Sequence, residues 1–265
     1  MNVLELDFFR NALIAVLLVS VASAIIGCYV VTRRLVSIAG GVTHACFGGL
    51  GLGYFLGYTP VLLAGIVAVG SSLGVDWLER HSKAGAVCWA FGRAAGGLFV
   101  FLTPGYVPEL NAFLFGNILT VTRTDLLTFA VFTLVLTGYY AVRFPVVTAC
   151  AFDRDFARVS GLPVTRVTTV MTLFTAVCIV LTIRLVGVML LMSMLTLPVM
   201  IAEMFVGRMK PLLWLSVAVS AVGCTAGLFL GAVIDVPASA LIVLTLAGMW
   251  VIVRMIRFFS GQIGR

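Results

Sequence analysis

Nine apolar stretches, each long enough to cross a lipid bilayer, occupy most of this chain of 265 residues. A transmembrane helix needs about 20 mostly apolar residues, because the hydrocarbon core of a bilayer is about 30 Å thick and a helix rises about 1.5 Å per residue. The stretches lie at about 9–31, 36–57, 60–78, 86–104, 125–144, 166–184, 187–206, 212–233 and 237–257. Charged residues make up only 10% of the chain, whereas soluble domains contain roughly a quarter. The sequence therefore predicts an all-α, polytopic membrane helical bundle of about eight to nine transmembrane helices, with residues 1–265 as a single domain.

The basic residues predict how this bundle is oriented in the membrane. The chain has 17 Lys and Arg residues against 10 Asp and Glu, and the basic residues lie mostly between the apolar stretches. That distribution is typical of cytoplasmic loops, so we expect no nucleic-acid partner. With the N-terminus outside, 14 of the 17 basic residues lie on the cytoplasmic side, and only Arg10, Arg123 and Arg184 lie outside. We therefore expect the N-terminus outside and the C-terminus inside, which requires Arg93 to extend its side chain to the inner interface.

Residues 40–57 combine a run of glycines with one histidine, His44. On a helix, residues four apart lie on one face. The small residues at this spacing are Gly41, Ala45, Gly49, Gly53 and Gly57. Small side chains let helix backbones approach closely in lipid, so these residues predict a helix packing seam. His44 lies at the edge of the seam, and an ionisable group at membrane depth indicates a functional site. The alternative is a packing histidine that is hydrogen-bonded to a neighbouring helix.

The sequence FDRDFARVSGLP, at residues 152–163, predicts a short helix on the cytoplasmic side. Asp153 is a favourable N-cap, Gly161 a favourable residue just past the C-terminus, and Pro163 ends the helix. The small Ala157 would let this helix lie deep in a groove of another protein. A docking element for a motor protein is one interpretation, and a solvated connector between two spans is the other.

In their order and spacing, several stretches of the chain together resemble the membrane permeases of ATP-binding-cassette (ABC) importers for zinc, manganese and iron, which are related to the vitamin B12 and siderophore permeases. The matching stretches are 40–57, FLFGNILTVTRTDLL at 113–127, 152–163, 186–205 and 227–251. The resemblance implies a fold like that of a type II ABC importer permease, in a bacterial cytoplasmic (inner) membrane. It also implies a homodimer of permease chains with two ATPase subunits and an extracytoplasmic metal-binding protein.

By the same resemblance, the helix at about 152–162 is a coupling helix that transmits the closure of the ATPase to the permease. The residues implied in coupling to the ATPase are Phe152, Asp153, Ala157 and Gly161. The phosphate-binding loop of an ATPase requires a Gly-Lys pair, but the two lysines, Lys83 and Lys210, follow a serine and a methionine. We therefore expect that this chain is not an enzyme, that it binds no cofactor, and that ATP and Mg bind to a separate subunit.

His44 and Glu203 are the candidate metal residues for a transported Zn, Mn or Fe ion. The family usually has an aspartate four residues before the histidine, but this chain has Gly40 there. A single imidazole holds a divalent metal weakly, because such sites normally draw on several N or O donors. Glu203 could supply a carboxylate, form part of an inner gate, or pair with Arg208. The alternatives for the whole protein are a permease for a chelated metal, of the siderophore or cobalamin type, and an ATP-independent carrier or channel.

Overall fold

The computed structural model describes residues 7–78, 84–103, 116, 118, 121–234 and 236–260. These residues contain helices and connections and no β-strand. The helices are α1 (Asp7–Thr32), α2 (Val36–Leu56), α3 (Pro60–Leu78), α4 (Ala84–Leu102), α5 (Arg123–Phe152), α6 (Arg154–Val159), α7 (Val164–Ile183), α8 (Leu185–Glu203), α9 (Met209–Ile234) and α10 (Ala238–Phe259). The all-α architecture predicted from the sequence is confirmed.

Seven of the described helices are long and apolar enough to cross a membrane: α1, α2, α5, α7, α8, α9 and α10. In α3, the apolar part is the shorter segment Pro60–Gly74. The chain is therefore a multi-pass membrane protein. The predicted fifth span ends at residue 144, but α5 continues through Pro145 to Phe152. A proline removes one backbone hydrogen bond without ending a helix where neighbouring groups satisfy the freed carbonyl, and membrane helices tolerate this.

The chain divides into two compact units, and each unit is built from segments that are separate in the sequence. The first unit comprises Met1–Cys28, Phe115–Leu134 and Leu185–Arg265. The second comprises Tyr29–Leu114 and Val135–Arg184. The chain passes from one unit to the other four times: within α1, at residues 114–115, within α5, and between α7 and α8. The expectation of a single membrane domain stays a prediction.

In the first unit, α9 and α10 pack through a row of glycines that sequence analysis missed. Cβ atoms added to Gly227 and Gly231 would lie 2.5 Å from Cα of Ile242 and 3.0 Å from Cα of Ala238. Gly223, one turn earlier, faces the side chain of Leu246 in the same way. The three glycines recur every fourth residue, the spacing already visible at residues 41–57. The same pattern could therefore have predicted this contact.

A second close contact in the first unit involves two glycines with left-handed backbone conformations. Gly116 has φ 67°, and an added Cβ would overlap the carbonyl of Val186. Gly187, the next residue, has φ 80° and ψ 170° and interrupts the helical path near the start of α8. Conformations of this kind are costly for residues with a side chain. Apart from Gly116 and Ile118, residues 104–120 lie outside the described residues.

Candidate functional site

The glycine-rich helix α2 lies in the second unit, and one of its sides packs on α3. A Cβ added to Gly49 would lie 2.9 Å from the carbonyl oxygen of Leu63 and 2.9 Å from Cβ of Val67. A Cβ added to Gly53 would lie 2.6 Å from Cα of Pro60. Because real Cβ contacts are longer than this, only glycine allows the two helices to approach so closely at these positions.

Another side of α2 packs on α4 through a second set of glycines. A Cβ added to Gly92 would lie 2.6 Å from the carbonyl oxygen of His44 and 2.6 Å from the backbone nitrogen of Ala45. A Cβ added to Gly51 would lie 2.7 Å from the carbonyl oxygen of Gly96. Gly92 and Gly96 are four residues apart on α4, a spacing that could have predicted their shared face. The backbone of α4 thus lies directly against the backbone of α2 at His44.

The predicted seam is therefore divided between two neighbours. Ala45 contacts α4, whereas Gly49 and Gly53 contact α3. A row at four-residue spacing advances about 400° per step and so drifts about 40° around the helix each time. Gly41, the first residue of the predicted seam, is a buried residue of α2. Gly57 differs from the expectation, because it ends the helix with φ 71° and has no atom within 4 Å of an added Cβ.

His44 is only half-buried, although its neighbours Thr43 and Ala45 are buried. The residue that follows Gly92 is Arg93. The Arg93 side chain is exposed on the surface of α4. It lies nine residues after Ala84 and nine before Leu102, so about 14 Å of helix separates it from either end. The expectation that Arg93 extends its side chain to the inner interface stays a prediction.

Glu203 is the last residue of α8, in the first unit, and its side chain is exposed. Within the described part of the chain it makes no hydrogen bond or ion pair, so the pairing with Arg208 considered from the sequence is not formed. The same residues contain no group of three or more His, Cys, Asp or Glu side chains that could hold a metal ion. The roles of His44 and Glu203 toward a metal stay predictions.

The short helix α6 follows α5 directly and begins at a cap that the sequence predicts. The Asp153 carboxylate accepts hydrogen bonds from the backbone N–H groups of Asp155, at 3.0 Å, and Phe156, at 2.9 Å. After the helix, the N–H of Leu162 donates to the carbonyl of Ala157 at 3.0 Å. Gly161 takes the left-handed conformation, with φ 76°, that this ending requires. Both ends of α6 are therefore fixed by local hydrogen bonds.

The two faces of α6 differ sharply in exposure. Ala157 is completely buried within this chain. The outward face presents three large apolar side chains: Phe152 is 58% exposed, Phe156 66% and Val159 88%. The expectation that Ala157 enters a groove of another protein is wrong, because its small side chain lets α6 pack on its own chain. The surface available to a partner, called here the α6 patch, consists of Phe152, Phe156 and Val159. Sequence analysis missed the last two, although both are apolar residues in a segment predicted to be cytoplasmic.

Comparisons with known proteins agree with this architecture over nearly the whole chain. Residues 5–257 match the sequence profile of the family described as the ABC 3 transport family. A probable metal transport system membrane protein of Chlamydia pneumoniae is 32% identical over 235 residues, which cover 84% of this chain and 80% of the relative. The chelated iron transport system membrane protein YfeD of Yersinia pestis is 30% identical over 237 residues, which cover 86% and 78%.

A solved structure has the same fold. The structure described as PsaBC from Streptococcus pneumoniae in complex with Fab aligns with a TM-score of 0.84 and 24% sequence identity. The alignment covers 94% of this chain and 92% of that chain. From the family match over residues 5–257 and the two relatives, we conclude that the chain belongs to the ABC 3 transport family.

Proposed function

We propose that the chain is the membrane permease subunit of an ABC importer that moves zinc, manganese or iron into the bacterial cytoplasm. The observation that carries this proposal is the α6 patch. Phe152, Phe156 and Val159 are exposed on a short helix whose two ends are capped. A rigid helix with outward apolar side chains suits contact with a motor subunit. Membership of the ABC 3 transport family and the printed names of the relatives support the metal cargo.

The ATPase is a separate subunit in this proposal. Neither lysine of the chain follows a glycine, so no phosphate-binding loop of the Gly-Lys type is present in the sequence. Two permease chains would stand over two ATPase subunits, which bind ATP and Mg, and a metal-binding protein would deliver the cargo from outside. With α6 on the cytoplasmic side, the N-terminus lies outside and the C-terminus inside.

His44 and Glu203 are proposed to lie on the path of the cargo. His44 is half-buried at the α2–α4 contact, and Glu203 is exposed at the end of α8. An imidazole nitrogen and a carboxylate oxygen both suit transition metals. The second candidate function is a permease for a chelated metal, and it is favoured by Gly40, which leaves α2 without an acidic residue.

Transport assays on the reconstituted complex test the proposal. Proteoliposomes would contain the permease and its ATPase, with the binding protein added outside, and uptake of Zn, Mn, Fe and a ferric chelate would be followed with and without ATP. We expect ATP-dependent uptake that Val159→Asp abolishes, because a carboxylate in the α6 patch would be buried against the ATPase. Thr165→Asp, at an exposed position in the first turn of α7 and outside the α6 patch, is not expected to release the ATPase. ATP-independent uptake, or an ATPase that stays bound to Val159→Asp, would contradict the proposal.

A further inference from the structure

Arg257, in the last turn of α10, lies over the aromatic ring of Phe205, which follows the end of α8. The guanidinium carbon of Arg257 is 5.9 Å from the centre of that ring. Phe205 is 58% exposed, so this pair lies at the surface of the first unit. A contact between a cation and a ring holds the guanidinium in place without neutralising its charge. Within the described part of the chain, neither Arg257 nor Arg254, one turn earlier, forms an ion pair.

The contact between α9 and α10 determines which other residues share this level. The two helices are antiparallel, and their closest approaches pair Gly231 with Ala238, Gly227 with Ile242 and Gly223 with Leu246. Continued nine residues further along each helix, this register places Trp214 level with Met255, which follows Arg254. The Trp214 side chain is 73% exposed. An exposed tryptophan and two arginines therefore lie at one depth, and we call Phe205, Trp214, Arg254 and Arg257 the α10 patch.

The charge around the α10 patch is positive. Arg208 and Lys210, at the start of α9, add two more basic residues. Neither α9 nor α10 contains an acidic residue, and the nearest acid along the chain is Glu203, at the end of α8. The patch therefore favours a partner that carries negative charge. A second copy related by two-fold symmetry across the patch would bring the same arginines against one another, which disfavours that partner.

The last turns of α10 lie where a membrane-spanning helix reaches the membrane surface. The 22 residues of α10 extend about 33 Å, slightly more than the thickness of the hydrocarbon core. Among the seven helices that are long and apolar enough to cross a membrane, α10 is the least buried, and Ile252, Met255 and Ile256 are exposed near its end. Apolar side chains suit contact with acyl chains, whereas tryptophan and arginine prefer the level of the headgroups.

We propose that the α10 patch binds an anionic phospholipid of the cytoplasmic leaflet. Arg254 and Arg257 hold its phosphate group, and its acyl chains lie along the exposed side of α10. Arginine suits this role because its planar guanidinium donates paired hydrogen bonds to phosphate oxygens. Phe205 positions Arg257, and Trp214 lies at the level of the headgroup. This site is independent of the cargo and of the α6 patch.

Binding of brominated phospholipids to the full-length permease, purified with its ATPase in detergent and stripped of lipid, tests the proposal. Bromine quenches tryptophan fluorescence at short range, and the quenching that is lost in Trp214→Phe isolates the signal of Trp214. We expect brominated phosphatidylglycerol to quench Trp214 at lower concentration than brominated phosphatidylcholine. Arg254→Gln should weaken binding of phosphatidylglycerol about fivefold, and adding Arg257→Gln should weaken it about fivefold again, as expected for each basic residue lost at an anionic membrane surface. Binding of phosphatidylcholine should not change.

Arg143→Gln is the matched control, because Arg143 is an exposed arginine on α5 that is predicted to lie on the same side of the membrane. It should bind phosphatidylglycerol like wild type. Raising the salt concentration should weaken binding to wild type, a measurement that requires no substitution. Size-exclusion chromatography shows whether each complex is assembled.

The proposal is overturned if the double variant binds phosphatidylglycerol normally, if Arg143→Gln loses as much affinity, or if salt has no effect on wild type. Equal binding of the two phospholipids by wild type would also overturn it. If the double variant keeps the lipid but loses the ATPase or a second permease chain, the α10 patch belongs to a protein interface and the proposal is wrong.

Discussion

Gly92 of α4 lies directly against His44 of α2, so that a Cβ on Gly92 would be 2.6 Å from the His44 carbonyl oxygen. This contact brings the backbone of α4 against the backbone of α2 at His44. Arg93 is the next residue along α4, so the position of its backbone relative to His44 follows from the same contact. The glycine therefore supports the candidate site, although it contributes no functional group.

Gly92→Ala should separate α4 from α2 and destabilise the protein by about 1–3 kcal/mol, because the new methyl group meets backbone atoms that cannot rotate away. The free energy of unfolding, measured by titration with a denaturing detergent, checks this expectation. Gly97→Ala is the control on the same helix, where an added Cβ meets nothing within 4 Å. It should be neutral or stabilising by up to about 1 kcal/mol, from the better helix propensity of alanine. Equal effects of the two substitutions would contradict the packing described here.

Asp153→Ala should loosen the start of α6, because two backbone N–H groups lose their acceptor. The local cost is about 1 kcal/mol. We expect faster hydrogen exchange of the amides of residues 155–159 and weaker coupling of ATP hydrolysis to uptake, whereas Asp153→Ser should preserve most of both. Asp155→Asn is a control. Its contact with Arg158 is long, at 4.0 Å, and highly exposed, so its loss should change little. Unchanged exchange in Asp153→Ala would show that the cap is not needed.

Gly161→Ala should destabilise the end of α6, because Gly161 has φ 76° and a side chain is unfavourable there whatever the surrounding space. The expected cost is about 1–2 kcal/mol. Gly161→Asn should cost less, because asparagine tolerates the left-handed region better than alanine does. The same unfolding titration compares the two variants. If alanine is tolerated as well as asparagine, the turn after α6 does not require this conformation.

Gly116→Ala should be among the most destabilising single substitutions in the first unit. Its φ of 67° disfavours a side chain, and the new methyl group would overlap the backbone of Val186. We expect a loss of about 3 kcal/mol or more, since strain and overlap add. Gly138→Ala serves as the comparison, because Gly138 lies within α5 and has open space at its Cβ position. Both variants are heated in detergent solution, and the fraction that remains monodisperse is measured by size-exclusion chromatography. This fraction should fall at a lower temperature for Gly116→Ala than for Gly138→Ala. Equal temperatures would contradict the prediction.

The helices themselves could be predicted from the sequence, because their signals are local. About 20 apolar residues define a span. The two ends of α6 depend on Asp153 and Gly161, which lie within a few residues of that helix. The four-residue spacing of glycines also predicted that α2 packs closely on other helices. Each of these features is determined by interactions between residues that are near one another in the chain.

Only the tertiary structure decided which face of each helix meets which neighbour. A membrane helix such as α2 is apolar on all sides, so its sequence carries no amphipathic pattern that marks an inner face. For that reason, the division of the glycine seam between α3 and α4 and the inward position of Ala157 were not predictable from the sequence. Arg93 is the clearest case. The sequence shows a charge in an apolar stretch, but the contact of its neighbour Gly92 with the backbone of His44 depends on α4 lying against α2, because helix packing brings together residues that are about 50 positions apart in the chain.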